Sequence, residues 1–368
     1  MNFHYCFLVL TTILLLTTTS LFSKELDVKT LPSLLSSSNA GTEFYFSFPP
    51  CYIDESLGNL NSCRVYVAST VQQLVTIEIP GRAVKMTKLC QGNDVVEFVF
   101  TPTAAQPFIK TGRTPAPLEQ VYPGVAIHVT VVSPVICYAA TRYSNIGEGF
   151  LVIPVSSLGK EYVVSAYPQY TAVGSGSQIV SVTTISAVYD ETIVFFEMGG
   201  TLQSETSGGL KPGKISQVFN LTHKGDVLCF SSNGDLQDIS GSRIVASKPV
   251  AVVSGNQCAT VPAGTVSCNF TAEMELPTFT WGKEYLVTPI YGRKKNPIIR
   301  IYAKEKNTTV YRDGQQWLVI PRSSRILDSG YVERRSWDGD PRAVVIHADK
   351  PIYVVMYNSG QTDDNVTS

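Results

Sequence analysis

Charged side chains are scarce in this sequence: Asp, Glu, Lys and Arg make up 16% of 368 residues, against roughly 25% in an average soluble domain. The net charge is −1, so the chain has no cationic surplus to neutralise phosphates, and no nucleic-acid partner is expected. Histidine is rarer still, at four residues. His4 falls in an N-terminal apolar leader, His128 and His347 sit in apolar runs, and His223 lies beside a glycosylation triplet. None is part of an HExxH pattern or of a His/Cys pair at zinc spacing, so no metal and no cofactor is expected. A GxSxG elbow, a phosphate-binding loop and a GxGxxG turn after a strand are also missing, which removes the parts that nucleophilic hydrolases and nucleotide enzymes need. After the leader no apolar run approaches the roughly eighteen residues of a membrane span. The processed chain is therefore expected not to be transmembrane.

Valine, threonine, serine and aromatics are plentiful, a balance that favours sheet over helix. Residues 1–23 hold the uncharged run Phe7 to Leu16 followed by small and hydroxylated residues, the pattern of a secretory signal peptide. Residues 24–40 form a Ser/Leu-rich linker. Removing Cys6 from the eight cysteines leaves seven, which an extracellular destination would oxidise. Cys51 with Cys63, and Cys258 with Cys268, each flank a short turn-rich loop and are expected to bond. Cys90, Cys137 and Cys229 are left without an assigned pairing. Asn220, Asn269, Asn307 and Asn365 head Asn-x-Ser/Thr triplets and are expected to be glycosylated at the surface.

The chain repeats itself. Ile153 to Val164 (IPVSSLGKEYVV) returns as Glu275 to Val287 (ELPTFTWGKEYLV), with Pro154 answering Pro277, Leu158 answering Trp281 and Gly159-Lys160-Glu161-Tyr162 answering Gly282-Lys283-Glu284-Tyr285. A fainter copy begins at Gly41-Thr42-Glu43-Phe44. A second marker, an apolar run broken by a proline, recurs around Pro134, Pro249 and Pro351. Two separate markers give the same three-fold count. The expected organisation is unit one at 41–158, unit two at 159–281, unit three at 282–360 and a tail at 361–368. Each unit offers about six short β-branched or aromatic runs, read as separate strands before and after each proline, and none has a sustained helical period. The fold class expected is all-β: three tandem antiparallel, β-sandwich-like units of about 100–120 residues.

Glu161 and Glu284 are the carboxylates a catalytic reading would choose, but each holds the same place in its own repeat, as a structural position does. Over 282–360 there are fourteen Lys/Arg against eight Asp/Glu, with the cluster Arg293-Lys294-Lys295 following Tyr291-Gly292. These three are the candidate ligand-binding residues, suited to acidic glycans, sulfated or sialylated.

The stretch Pro154 to Tyr162, the segment SKPVAVVSGNQCA at 247–259 with Gly241-Ser242-Arg243 before it, Cys268 downstream, and Leu276-Pro277 with Trp281 to Tyr285 resemble the amino-terminal region of the IgG Fc-binding protein family. The resemblance runs over roughly 41–360. It implies a secreted, mucus-associated or cell-surface binding protein rather than an enzyme, with IgG Fc as one partner class. The sequence therefore supports a secreted binding or adhesion module with protein, mucin or glycan ligands. A secreted carboxylate-dependent glycoside hydrolase and a self-associating extracellular matrix component are the alternatives.

Overall fold

The computed structural model describes residues 39–51, 61–109, 119–143, 146–168, 179–199, 205–212, 217–234, 237–263, 265, 268–293, 295, 297–321, 331–335 (backbone only) and 342–360. The signal peptide, nearly all of the linker, the tail, Lys294 and Asn365 lie outside the described residues.

The first unit contains β1 (Ala40–Phe46), β2 (Ser62–Ser69), β3 (Gln73–Ile79), β4 (Val84–Cys90), β5 (Asp94–Phe100), β6 (Gln120–Tyr122), β7 (Ile127–Arg142) and β8 (Gly147–Val152). The second contains β9 (Gly159–Val163), β10 (Ser181–Ala187), β11 (Thr192–Glu197), β12 (Gln217–Leu221), β13 (Val227–Ser231), β14 (Arg243–Ala259) and β15 (Asn269–Met274). The third contains β16 (Gly282–Val287), β17 (Ile298–Ala303), β18 (Thr308–Arg312), β19 (Gln315–Ile320), β20 (Tyr331–Arg335) and β21 (Val344–Tyr357). Every ladder among the described residues is antiparallel, and the three sheets share one plan. A long strand (β7, β14 or β21) takes the opening strand (β1, β9 or β16) beside its first half, a hairpin (β3-β4, β11-β12 or β18-β19) on that half's other side, and a second pair (β2-β5, β10-β13 or β17-β20) along its second half. Residues from both halves, such as Phe44, Val65, Val75, Ile77, Phe98, Val129 and Cys137, meet in a common buried cluster. The bent sheet thus closes over its own core in the manner of a sandwich.

The long strands correct one expectation. Runs read as separate strands on either side of Pro134, Pro249 and Pro351 are continuous, at 16, 17 and 14 residues. Proline has no N–H to give a ladder, and the register explains how it is accommodated. Gly41 faces Val135 while Glu43 already faces Thr130; Gly159 faces Val250 while Glu161 faces Val245; Gly282 faces Ile352 while Glu284 faces His347. In each unit the same bulge leaves the proline-bearing residues without an opening-strand partner.

This geometry also explains why the two sequence markers recur together. The Tyr162 hydroxyl accepts from the Gly159 N–H at 2.8 Å and donates to Val250 O at 2.7 Å. The Tyr285 hydroxyl accepts from the Gly282 N–H at 3.1 Å and donates to Ile352 O at 2.5 Å. One phenol therefore joins the Gly-Lys-Glu-Tyr marker to the residue after the marker proline. In the first unit Phe44 takes the tyrosine's place, facing Val129 as Tyr162 faces Ile244.

The units share their cores. Val253, Phe270, Ala272 and Met274 of β14 and β15 belong to the first unit's cluster, and β6, from the first unit's chain, pairs with β13. Between the second and third units, Arg300 of β17 is 1% exposed and reaches Asp238 Oδ2 at 3.1 Å, Ser240 Oγ at 2.9 Å and Ala166 O at 2.7 Å. Its guanidinium lies 4.4 Å from the centre of the Tyr167 ring. An arginine so deeply buried persists only when its donors are satisfied, and here the partners come from the neighbouring unit.

Candidate functional site

Where the second and third units meet, the structure opens a cleft of about 880 Å³. One wall is β15, whose residues alternate: Phe270, Ala272 and Met274 turn into the first unit's core, while Asn269, Thr271 and Glu273 line the cleft. The opposite wall is the end of β21 with the residues after it, Val355 to Gly360; Glu148 of β8, Arg293, and Ser254 and Gly255 of β14 are among the other lining residues. β14 pairs with β15 in the same sheet, Gly255 opposite Ala272, and so closely that a Cβ on Gly255 would sit 1.8 Å from Thr271 O, so only glycine fits there.

Carboxyl groups dominate the cleft's electrostatics. Burial pushes Glu273 up to about 7, and the neighbouring Glu148 adds to the rise. Glu148 is itself raised by burial. Behind this wall Glu275 is buried; its Oε1 accepts from the Ser165 N–H at 2.5 Å and its Oε2 from Ser165 Oγ at 2.9 Å. Burial outweighs these bonds and takes Glu275 up to about 7. Glu273 and Glu275 thus change charge near neutrality, and Glu148, raised by its burial, faces the cleft with Glu273.

The sequence-designated basic residues border the same place. Arg293 lines the cleft and donates to Ser359 O, so it belongs to the wall rather than to an exposed patch. Lys295 is exposed, and Lys294 lies outside the described residues. Their turn is held by the Arg293 N–H to Ile290 O at 3.2 Å and by Gly292 at φ 81°, and it leaves Tyr291 fully exposed.

Cys258 and Cys268 are bonded, Sγ to Sγ at 1.94 Å, where the loop joining β14 to β15 begins and ends. The structure carries no bond between Cys51 and Cys63. Both are buried in the first core, where Cys51 Sγ donates to Gln257 O at 3.8 Å and the Gln106 amide donates to Cys63 Sγ at 4.0 Å. Asn220, Asn269 and Asn307 are exposed. Glu161 is held by Arg243 at 2.7 Å and by Lys304 at 2.7 Å. Burial acts to raise its carboxyl, but hydrogen bonds from Lys304 and Arg243 win and hold it below the ordinary carboxylate range. Glu284 sits out in solvent beside His347 Nδ1 at 3.5 Å. Neither repeated glutamate lines the cleft.

Sequence reasoning passed over Glu148, Glu273 and Glu275. The spacing of Glu273 and Glu275 along one strand, in a chain this poor in charge, was the available signal, but nothing in the sequence joins Glu148 to them.

No helix among the described residues is long and apolar enough to cross a membrane. No solved structure matches the chain. Human IgGFc-binding protein is 27% identical to it over 230 residues, which cover 59% of this chain and 4% of that protein. The chain therefore spans only a small part of the curated relative it matches. The IgGFc binding protein family matches residues 148–368, a span that takes in nearly all of β8, both complete Gly-Lys-Glu-Tyr units and every cleft-lining residue named above. With more than half of its length so matched, the chain belongs to the IgGFc-binding protein family.

Proposed function

We propose that this chain is a secreted, non-enzymatic binding and adhesion module that takes extracellular protein, mucin or glycan ligands at the junction of its second and third units. The observation that carries the reading is the cleft of about 880 Å³ with an exposed tyrosine and basic residues at its margin. A tyrosine bare to water is a stacking surface for sugars and peptides. Lys295 beside it supplies charge that attracts acidic ligands and is screened over about 8 Å at physiological salt. Exposed Asn220, Asn269 and Asn307 and the Cys258–Cys268 bond fit an extracellular destination. The relative's name makes the Fc fragment of IgG the first protein to try.

The test is an array of glycans, mucins and proteins, IgG Fc among them, probed with the secreted chain. The reading expects retention of a ligand that is weakened by salt, by Tyr291→Ala and by Lys295→Ser, with thermal melting unchanged. A ligand held equally by both variants at all salt concentrations would move the site elsewhere.

The two raised carboxyls, Glu148 and Glu273, are the observation that favours the second reading, a glycoside hydrolase. Hydrolysis of chromogenic glycosides that Glu273→Gln abolishes would establish it.

A further inference from the structure

Directly opposite residues of an antiparallel pair point to the same side of the sheet, so the registers show what each unit's hairpin turns outward. In the first unit one such row is Thr87, Thr76, Thr130 and Glu43, with the Thr76 and Thr87 hydroxyls 3.0 Å apart. In the third unit the same row is Gln316, Tyr311, His347 and Glu284. In the second it is Val218, Phe195, Val245 and Glu161. Two units therefore turn polar groups to water along this row, where the second turns a phenylalanine and two valines.

The second unit's row is bare. Phe195 is 40% exposed and Val218 52%, and Ile193, which points the same way two residues before Phe195, is 39% exposed. Their strand neighbours Thr192, Val194 and Phe196 are fully buried, so the exposure follows from the alternation of a well-formed strand. One polar residue shares this face. Asn220 stands directly opposite Ile193, two residues along β12 from Val218, and is exposed. It heads the triplet Asn220-Leu221-Thr222, and Thr222 is exposed as well. The positions that answer to Asn220 are Leu89 in the first unit, opposite Leu74, and Val319 in the third, opposite Thr309. Neither can carry a sugar. The hairpin with the apolar outer row is thus the one that sets a glycosylation triplet beside that row.

We propose that the N-linked glycan of Asn220 folds back over the outer face of the second unit's hairpin and covers Ile193, Phe195 and Val218, so that the chain's own sugar closes this face. The proposal rests on the extracellular reading above, since the sugar is added to chains that enter the secretory route. Distance permits the contact. Opposite Cβ atoms in an antiparallel pair stand about 4.5–5.5 Å apart and diagonal ones about 7–8 Å, so the first sugar, joined to Asn220 Nδ2, overlies Ile193 and reaches Phe195 on the diagonal. Chemistry favours it. A pyranose ring presents a face of C–H bonds, and the face of a phenyl ring is negative where those hydrogens are positive. The sugar's C–H and N-acetyl methyl groups take apolar area of Ile193 and Val218 out of water, while its hydroxyls turn outward. Left uncovered, an apolar face of this kind invites association.

The experiment uses the whole chain secreted from a eukaryotic cell line. Glycopeptide mapping is expected to find Asn220 occupied, and nuclear Overhauser contacts in the folded chain are expected between the Asn220-linked N-acetylglucosamine and the Phe195 ring. Asn220→Gln bares the face, and is expected to bind several-fold more anilinonaphthalene sulfonate and to sediment as larger species. In a Phe195→Thr, Val218→Thr background, which reproduces the first unit's threonine row, Asn220→Gln is expected to change neither reading. A glycan that only adds general solubility would act equally in both backgrounds, and that result overturns the proposal. So does an occupied Asn220 whose sugar makes no contact with Phe195, a measurement that needs no variant to fold. Asn220 found empty while Asn269 or Asn307 carries sugar also overturns it and leaves the extracellular reading standing. A chain retained in the cell with no sugar at any of the three sinks both.

Discussion

Tyr162→Phe removes a single oxygen and tests the joint on which each repeat is built. That oxygen is buried and serves two backbone groups, the Gly159 N–H at 2.8 Å and Val250 O at 2.7 Å. No water reaches this pocket, since Tyr162 and Val250 are both fully buried. Each group left without a partner costs about 1–3 kcal/mol, so losing both should destabilise the chain by roughly 2–6 kcal/mol. Tyr285→Phe removes the equivalent bonds in the third unit, but Gly282 is exposed and Tyr285 only half-buried. Water can replace the lost donor there, and the loss should stay near or below about 1 kcal/mol. Phe44 shows that the opening-strand position itself accepts a phenyl ring. The assay is urea denaturation of both variants beside the wild type, followed by tryptophan fluorescence and circular dichroism. Equal effects, or a Tyr162→Phe variant within about 0.5 kcal/mol of wild type, would refute the reasoning that the hydroxyl, rather than the ring, joins the two markers.

Arg300→Met should cost about 3–5 kcal/mol, because it strands buried Asp238 without its partner; limited proteolysis should then release the third unit first, and a variant as protease-resistant as wild type would count against this lock. Burial takes Glu275 up to about 7 from an unfolded value of 4.5, so its contribution to stability is complete below 4.5 and lost as pH rises through 7. Between pH 5.5 and pH 8 this should weaken the fold by about 2 kcal/mol, a slope that urea titrations should see shrink in Glu275→Gln. Non-reducing peptide mapping should find Cys258 joined to Cys268, and Cys258→Ser should cost about 2–3 kcal/mol for a loop of this size; recovery of alkylated Cys258 without reduction contradicts the bond.

The repeat was legible because the opening strand and the proline-bearing strand lie side by side in all three units, and in the two complete copies a tyrosine hydroxyl ties the two markers together. The turn between β18 and β19 is set by an equally local rule: Asp313 and Gly314 both adopt positive φ, 49° and 82°, the requirement that Asp-Gly pairs satisfy in tight turns. The continuity of β7, β14 and β21 through their prolines was hidden, because what permits it is a bulge on the partner strand, and partners are not written beside one another in sequence. The same limit hid the cleft. Glu148, Glu273 and Arg293 come from three separate stretches that only the folded chain assembles, and Arg300 finds Asp238 across a boundary that the repeat pattern marks as a division. The expected Cys51–Cys63 bridge rested on loop length alone, and both sulfurs proved to be engaged inside the first core.

The most direct test is the hydrogen-exchange footprint of a ligand retained on the array, measured on the intact secreted chain. The account predicts slowed exchange confined to Asn269–Met274, to Ile290–Arg293 and to Tyr353–Gly360, the walls and margin of the cleft. A footprint on the outer strands of the first unit, with those three stretches unchanged, would contradict it.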